Sequence, residues 1–171
     1  MTWTDILTIA GIIDCMNLTL GYAEMLTADL SEEQFAHMPH PDMNHPAFCL
    51  GHLAVTANGV LKTIGRADLA DSKPGFEQLF DTGAKCLEGD GGYPAKEELL
   101  AYYLDRYRVL GGAARELDEA ALAGPNPSDG RLREMLPTLG GYLNFVLNGH
   151  NMAHLGQISA WRRAVGLPGV L

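Results

Sequence analysis

His150 and His154 stand four residues apart in an apolar stretch with Val146, Leu147, Ala153, Leu155 and Ile158. In a helix that spacing sets both imidazoles on one face, one turn apart, where two rings can share a metal ion. His52 lies midway along a second apolar stretch, and helices from opposite ends of a chain can meet in a bundle. Neutral imidazole suits borderline divalent metals, with zinc the first choice in compact sites and nickel and ferrous iron also accepting three nitrogens plus solvent. Three imidazoles leave at least one coordination position open, as in catalytic and not in closed structural sites. A metal there lowers the pKa of a bound water or thiol and so supplies a nucleophile near neutral pH. Asn151 follows His150 where metalloproteases of the H-E-x-x-H type carry a glutamate base, which argues against that mechanism. The plain alternative is a structural bundle whose histidines are satisfied by hydrogen bonds.

Other residues have weaker claims. Cys49, three before His52, reads as a packing cysteine ahead of a metal-softening thiolate. Gln157, three after His154, reads as an interhelical hydrogen-bonding group ahead of one that orients a ligand ring. Tyr103 and Asp105 are candidates for a polar pocket wall without an assigned role, and His37, His40 and His45 read as capping or solvent-exposed, His45 being the one expected near a pocket mouth. Arg162 and Arg163 complement a helix C-terminus and need no anionic substrate to explain them.

These residues need helices to place them. Ile6, Leu7, Ala10, Ile13, Met16, Leu20 and Ala23 step mostly by three or four, which predicts a first long helix from Trp3 to about Leu26. Ser31 with Gln34 resembles a capping box for a short helix. Asn44 as cap and Pro46 in the first turn open a helix that carries His52 and stops near Gly65. Residues 66–94 form a long connection with one helical turn at Phe76, Leu79 and Phe80. A third long helix is expected from Pro94 to about Leu122. The fourth follows Pro137 and ends at Gly166-Leu167-Pro168. Gly140, Gly141, Gly149 and Gly156 weaken that last helix, so either a neighbour approaches closely or its start frays before Tyr142. No run alternates as a strand would. The expectation is one all-α domain over residues 1–171, an up-down antiparallel four-helix bundle with long crossing connections.

Composition narrows the partners. Twelve basic against 21 acidic residues give a formal charge of −9, which repels phosphate backbones and anionic lipid, so neither nucleic acid nor a membrane is expected; the partner expected is a small-molecule substrate at the open metal position. Three cysteines, Cys15, Cys49 and Cys86, make no disulfide framework and fit a reducing compartment. The N-terminus has no basic segment and its apolar run is broken by Asp14 and Asn17, so a cytoplasmic protein is expected.

The run from His150 through His154-Leu-Gly-Gln157-Ile to Arg162-Arg163-Ala-Val-Gly166-Leu-Pro168 resembles the closing helix of the DinB/YfiT-like superfamily. Asn44-His-Pro46-Ala-Phe-Cys-Leu-Gly-His52-Leu resembles that family's second-helix ligand segment, and the order of segments agrees over nearly the whole chain. The resemblance implies a four-helix bundle with one metal held by His52, His150 and His154. It also implies the activity of characterised members, thiol-dependent transferases and isomerases using a low-molecular-weight thiol, and a homodimer. The alternatives are a non-catalytic metal-containing binding or stress protein and a metal-dependent hydrolase, the latter needing a base such as Asp105 or His45 near the open position.

Overall fold

In the computed structural model, residues 8–89 and 92–171 are described. Helix α1, Ile9–Thr27, starts from Thr8, whose hydroxyl accepts the Gly11 N–H, and it buries Ile13, Met16, Leu20 and Ala23. The expected start at Trp3, with Ile6 and Leu7, lies outside the described residues. Ser31 and Gln34 form the capping box of α2, Glu32–Phe35, as their spacing predicts. Helix α3, Pro46–Thr63, carries His52. Its cap is His45 and not Asn44: the His45 Nδ1 accepts the Phe48 N–H at 3.2 Å, with Pro46 in the first turn. The long connection holds a 3-10 turn, Ala67–Leu69, and the expected single helical turn, α4, Phe76–Phe80.

The third long helix, α5, Lys96–Arg115, ends earlier than its periodicity suggests. The Asp118 carboxylate accepts the Ala121 N–H at 2.8 Å and so opens a separate short helix, α6, Glu119–Ala123, instead of letting α5 run on. After α7, Arg131–Met135, Thr138 caps the last helical run by accepting the Gly141 N–H at 3.1 Å. That run comprises α8, Leu139–Asn144, a π-helical segment, Phe145–His150, and α9, Asn151–Ala164. Its start therefore does not fray. A Cβ on Gly140 would lie 3.2 Å from the Leu122 carbonyl of α6, the close approach that glycine permits, whereas Gly156 faces open space.

The protein is a helical bundle, without a named strand among the described residues. Both α1 and α3 pack on α5 and on α9, whereas consecutive α1 and α3 are not a main packing pair, so the connection through α2 crosses the bundle. One core cluster runs through all four long runs, with Leu26, Leu53, Tyr103, Tyr107, Leu147 and Trp161 fully buried. Buried Arg162 ties the end of α9 to the end of α1: it donates to the Leu26 carbonyl at 2.9 Å and to both oxygens of Asp29, and its Nε meets the Pro168 carbonyl at 3.2 Å. It complements the C-terminus of α1 across the interface, where the sequence suggests the end of its own helix. No described helix is long and apolar enough to cross a membrane.

Candidate metal centre

The site is built where α3 meets α9. Gly51 precedes His52 and faces the Phe80 ring so closely that a Cβ would stand 2.3 Å from Cδ1. With the ring seated there, the Phe80 carbonyl lies 2.8 Å from the His52 Nδ1. A carbonyl only accepts, so Nδ1 carries the proton and Nε2 of the neutral ring presents a lone pair.

That lone pair faces the other two histidines. His52 Nε2 is 3.4 Å from His150 Nε2, which is 3.2 Å from His154 Nε2. One ligand nitrogen from each of the three lies within 4.8 Å of the others, and they are the group of potential metal ligands found among the described residues. A tetrahedral ion about 2.0–2.1 Å from each nitrogen would hold them roughly 3.3–3.4 Å apart, close to the spacings of the two pairs that share His150. Protons alone serve this cluster poorly. His150 Nε2 cannot both donate and accept in the ring plane, so protons alone could serve its two contacts only through one shared N–H, weaker than two separate bonds.

The three rings are half-buried. Burial first, then the neighbouring histidines, lowers the pKa of His150 to about 4, and burial followed by His52 lowers His154 to about 4. Neutral imidazole is the form a metal binds. The Nδ1 atoms of His150 and His154 are buried without a hydrogen-bond partner, so these two rings lack the orienting acceptor that His52 has in Phe80.

Polar residues of the bundle interior support the backbone here. Asn151 is fully buried; its Oδ1 accepts from the Tyr103 hydroxyl at 2.8 Å, and its Nδ2 donates to Thr19 Oγ1 at 2.8 Å. Asn148 donates to the Ile12 carbonyl at 3.1 Å, and the Tyr107 hydroxyl reaches the Val146 carbonyl at 3.4 Å. Tyr103 thus braces a helix instead of lining a pocket. Asp105 is exposed and paired with Arg106.

His45 is fully buried, its Nε2 donating to the Leu87 carbonyl at 2.9 Å, and burial lowers its pKa. It is a structural cap, not a group at a pocket mouth. His37 pairs with Glu88 at the surface, 2.9 Å away. The buried Cys49 thiol donates to Gln157 Oε1 at 3.5 Å, and burial raises its pKa. Gln157 also accepts from Asn44 at 3.0 Å, the interhelical role expected of it. Beside this pair opens a cavity of about 400 Å³ lined by His40, Asp42, Met43, Asn44 and Gln157.

Two supports of the site had no sequence signal of their own: the Phe80 carbonyl, which is backbone, and Asn151, one of several amides in the last helical run beside Asn144, Asn148 and Gln157. The glycine at 51 hinted at the first, since glycine inside a helix often marks close approach.

A family model described as the DinB superfamily matches residues 18–158, a span that contains all three histidines and the whole of α3. No curated protein matches the chain.

Proposed function

This chain belongs to the DinB superfamily, and we propose that it binds one divalent metal ion through His52, His150 and His154 and acts as a transferase or isomerase using a small-molecule thiol. The observation that carries the metal reading is the convergence of the three Nε2 atoms at 3.4 and 3.2 Å from two helices. Zinc is the first choice, with nickel or iron the other ions this donor set accepts. A bound metal would supply Lewis acidity, lowering the pKa of a thiol or water at its open position.

The protein's own part is positional. Phe80 fixes the tautomer of His52, and burial keeps His150 and His154 unprotonated at neutral pH. Asn44 and Gln157 give the neighbouring cavity polar walls for a small-molecule substrate. The hydrolase alternative loses support, because its two suggested bases are engaged elsewhere, His45 as a cap and Asp105 with Arg106. A cytoplasmic homodimer is part of the same proposal and rests on composition and family habit.

The test is elemental analysis of wild type beside His52→Ala, His150→Ala and His154→Ala, each checked for helicity, followed by calorimetric titration of the metal-loaded protein with low-molecular-weight thiols. About one metal per chain, lost in each folded variant, supports the site, and thiol binding only when metal is present supports the thiol reading. Variants that keep the metal would sink both.

A further inference from the structure

We propose that Asn151 is a positioning residue for His150: its side-chain amide holds the junction between the π-helical segment and α9, and so aims the His150 ring at the other two histidines. The inference rests on the metal reading above and extends it to a residue outside the ligand set.

Three observations converge on it. The His150 Nδ1 has no hydrogen-bond partner, so no acceptor sets the direction of that ring and its aim depends on the backbone beneath it. That backbone is the last residue of a π-helical segment, Phe145–His150, a wider turn than the helix on either side. In an unbroken α-helix the Asn151 N–H would bond to the Leu147 carbonyl, four residues back. Here the N–H bonds to the Asn148 carbonyl, and Asn151 Nδ2 meets the Leu147 carbonyl at 3.4 Å. The side chain thus stands in for the displaced backbone donor.

The same amide is anchored from outside its helix. Tyr103 of α5 donates to Oδ1, and Nδ2 donates to Thr19 of α1, whose own hydroxyl donates to the Met16 carbonyl at 2.7 Å. Two neighbouring helices therefore fix the point at which the wide turn ends. Leucine at 151 would fill similar volume and offer none of these bonds.

The experiment is a cobalt(II) titration of metal-free wild type, Asn151→Leu and the Tyr103→Phe/Thr19→Val double variant. Affinity is measured by chelator competition, geometry by the visible absorption of bound cobalt, and folding by thermal melts. The expected result is cobalt affinity at least tenfold weaker in Asn151→Leu with a changed visible spectrum, in the range typical for loss of an outer-shell support. The double variant, which keeps the amide but frees it, loses affinity to a smaller extent. Wild-type affinity and spectrum in a folded Asn151→Leu, with only the melting temperature lowered, would overturn the proposal. If Asn151→Leu does not fold, the double variant decides, and an unchanged affinity and spectrum there overturn it equally. Folded wild type that takes up no cobalt, zinc, nickel or iron overturns the metal reading, an outcome visible before any variant is compared.

Discussion

The Phe80 carbonyl accepts the Nδ1 proton of His52 at 2.8 Å, and the bond exists because Gly51 leaves room for the Phe80 ring against α3. Gly51→Ala would drive a methyl into that ring, at 2.3 Å from its Cδ1. The expected cost is about 1–3 kcal/mol of stability. Metal affinity should fall as well, because the carbonyl moves with the ring. Urea unfolding of the metal-free form and chelator competition of the loaded form measure the two effects separately; unchanged affinity would detach Phe80 from the site.

Zinc added to the metal-free protein should raise its melting temperature, by an amount equivalent to about 2.7 kcal/mol at a free concentration 100 times the Kd. His154→Ala should melt at one temperature with and without zinc. Differential scanning calorimetry reads both, and an equal increment in the variant would place the ion elsewhere.

Acid should destabilise the metal-free protein from about pH 6.5 downward. Burial depresses the pKa values of His45, His150 and His154 in the folded state, the last two to about 4. The unfolded chain, with histidine near 6.5, takes up protons first. Stability is therefore complete above about 6.5 and declines as the pH falls toward 4. Protonation of His45 also removes the acceptor of the Phe48 N–H. Urea midpoints at pH 7.5, 6 and 5 should fall in that order, and a flat profile would contradict the buried, neutral assignment.

Arg162→Ala should be among the costliest substitutions outside the site. It strands the Leu26 and Pro168 carbonyls and removes the tie between α9 and α1. A loss of about 3 kcal/mol is expected, the low end for a buried charge because Asp29 is half exposed. Arg163→Ala, whose side chain reaches only Ser159 at the surface, should change stability by less than about 0.5 kcal/mol.

Thiol alkylation should distinguish the cysteines. Cys15 is exposed, whereas Cys49 is fully buried with its thiol pushed up by burial. Iodoacetamide at pH 8 should label Cys15 in the native protein and reach Cys49 only on unfolding, as followed by mass spectrometry; early labelling of Cys49 would show that α3 and α9 part readily.

The helices and the histidine triad were legible because both are written in spacing: apolar steps of three and four, and an i, i+4 pair beside a third histidine. What escaped was written in geometry. Whether α5 continues past Arg115 is settled by one carboxylate, Asp118, that caps a new helix more favourably than it extends the old one. Either Asn44 or His45 could cap α3, and burial of the imidazole against Leu87 selected His45. The π-helical turn leaves the composition of its helix unremarkable, and the role of Asn151 emerges only when Tyr103 and Thr19 arrive from distant parts of the chain. By its position Arg162 complements the end of its own helix, yet it lies in the interior because the end of α1 supplies acceptors for it.

His52 and His150 are separated by 98 positions and come from helices that meet only across the assembled bundle. During synthesis, no three-histidine cluster exists until the final helix has emerged and docked. Under the metal reading, loading would be an event of the assembled bundle. Before the final helix emerges, the chain offers an ion only one of the three imidazoles of the site, His52.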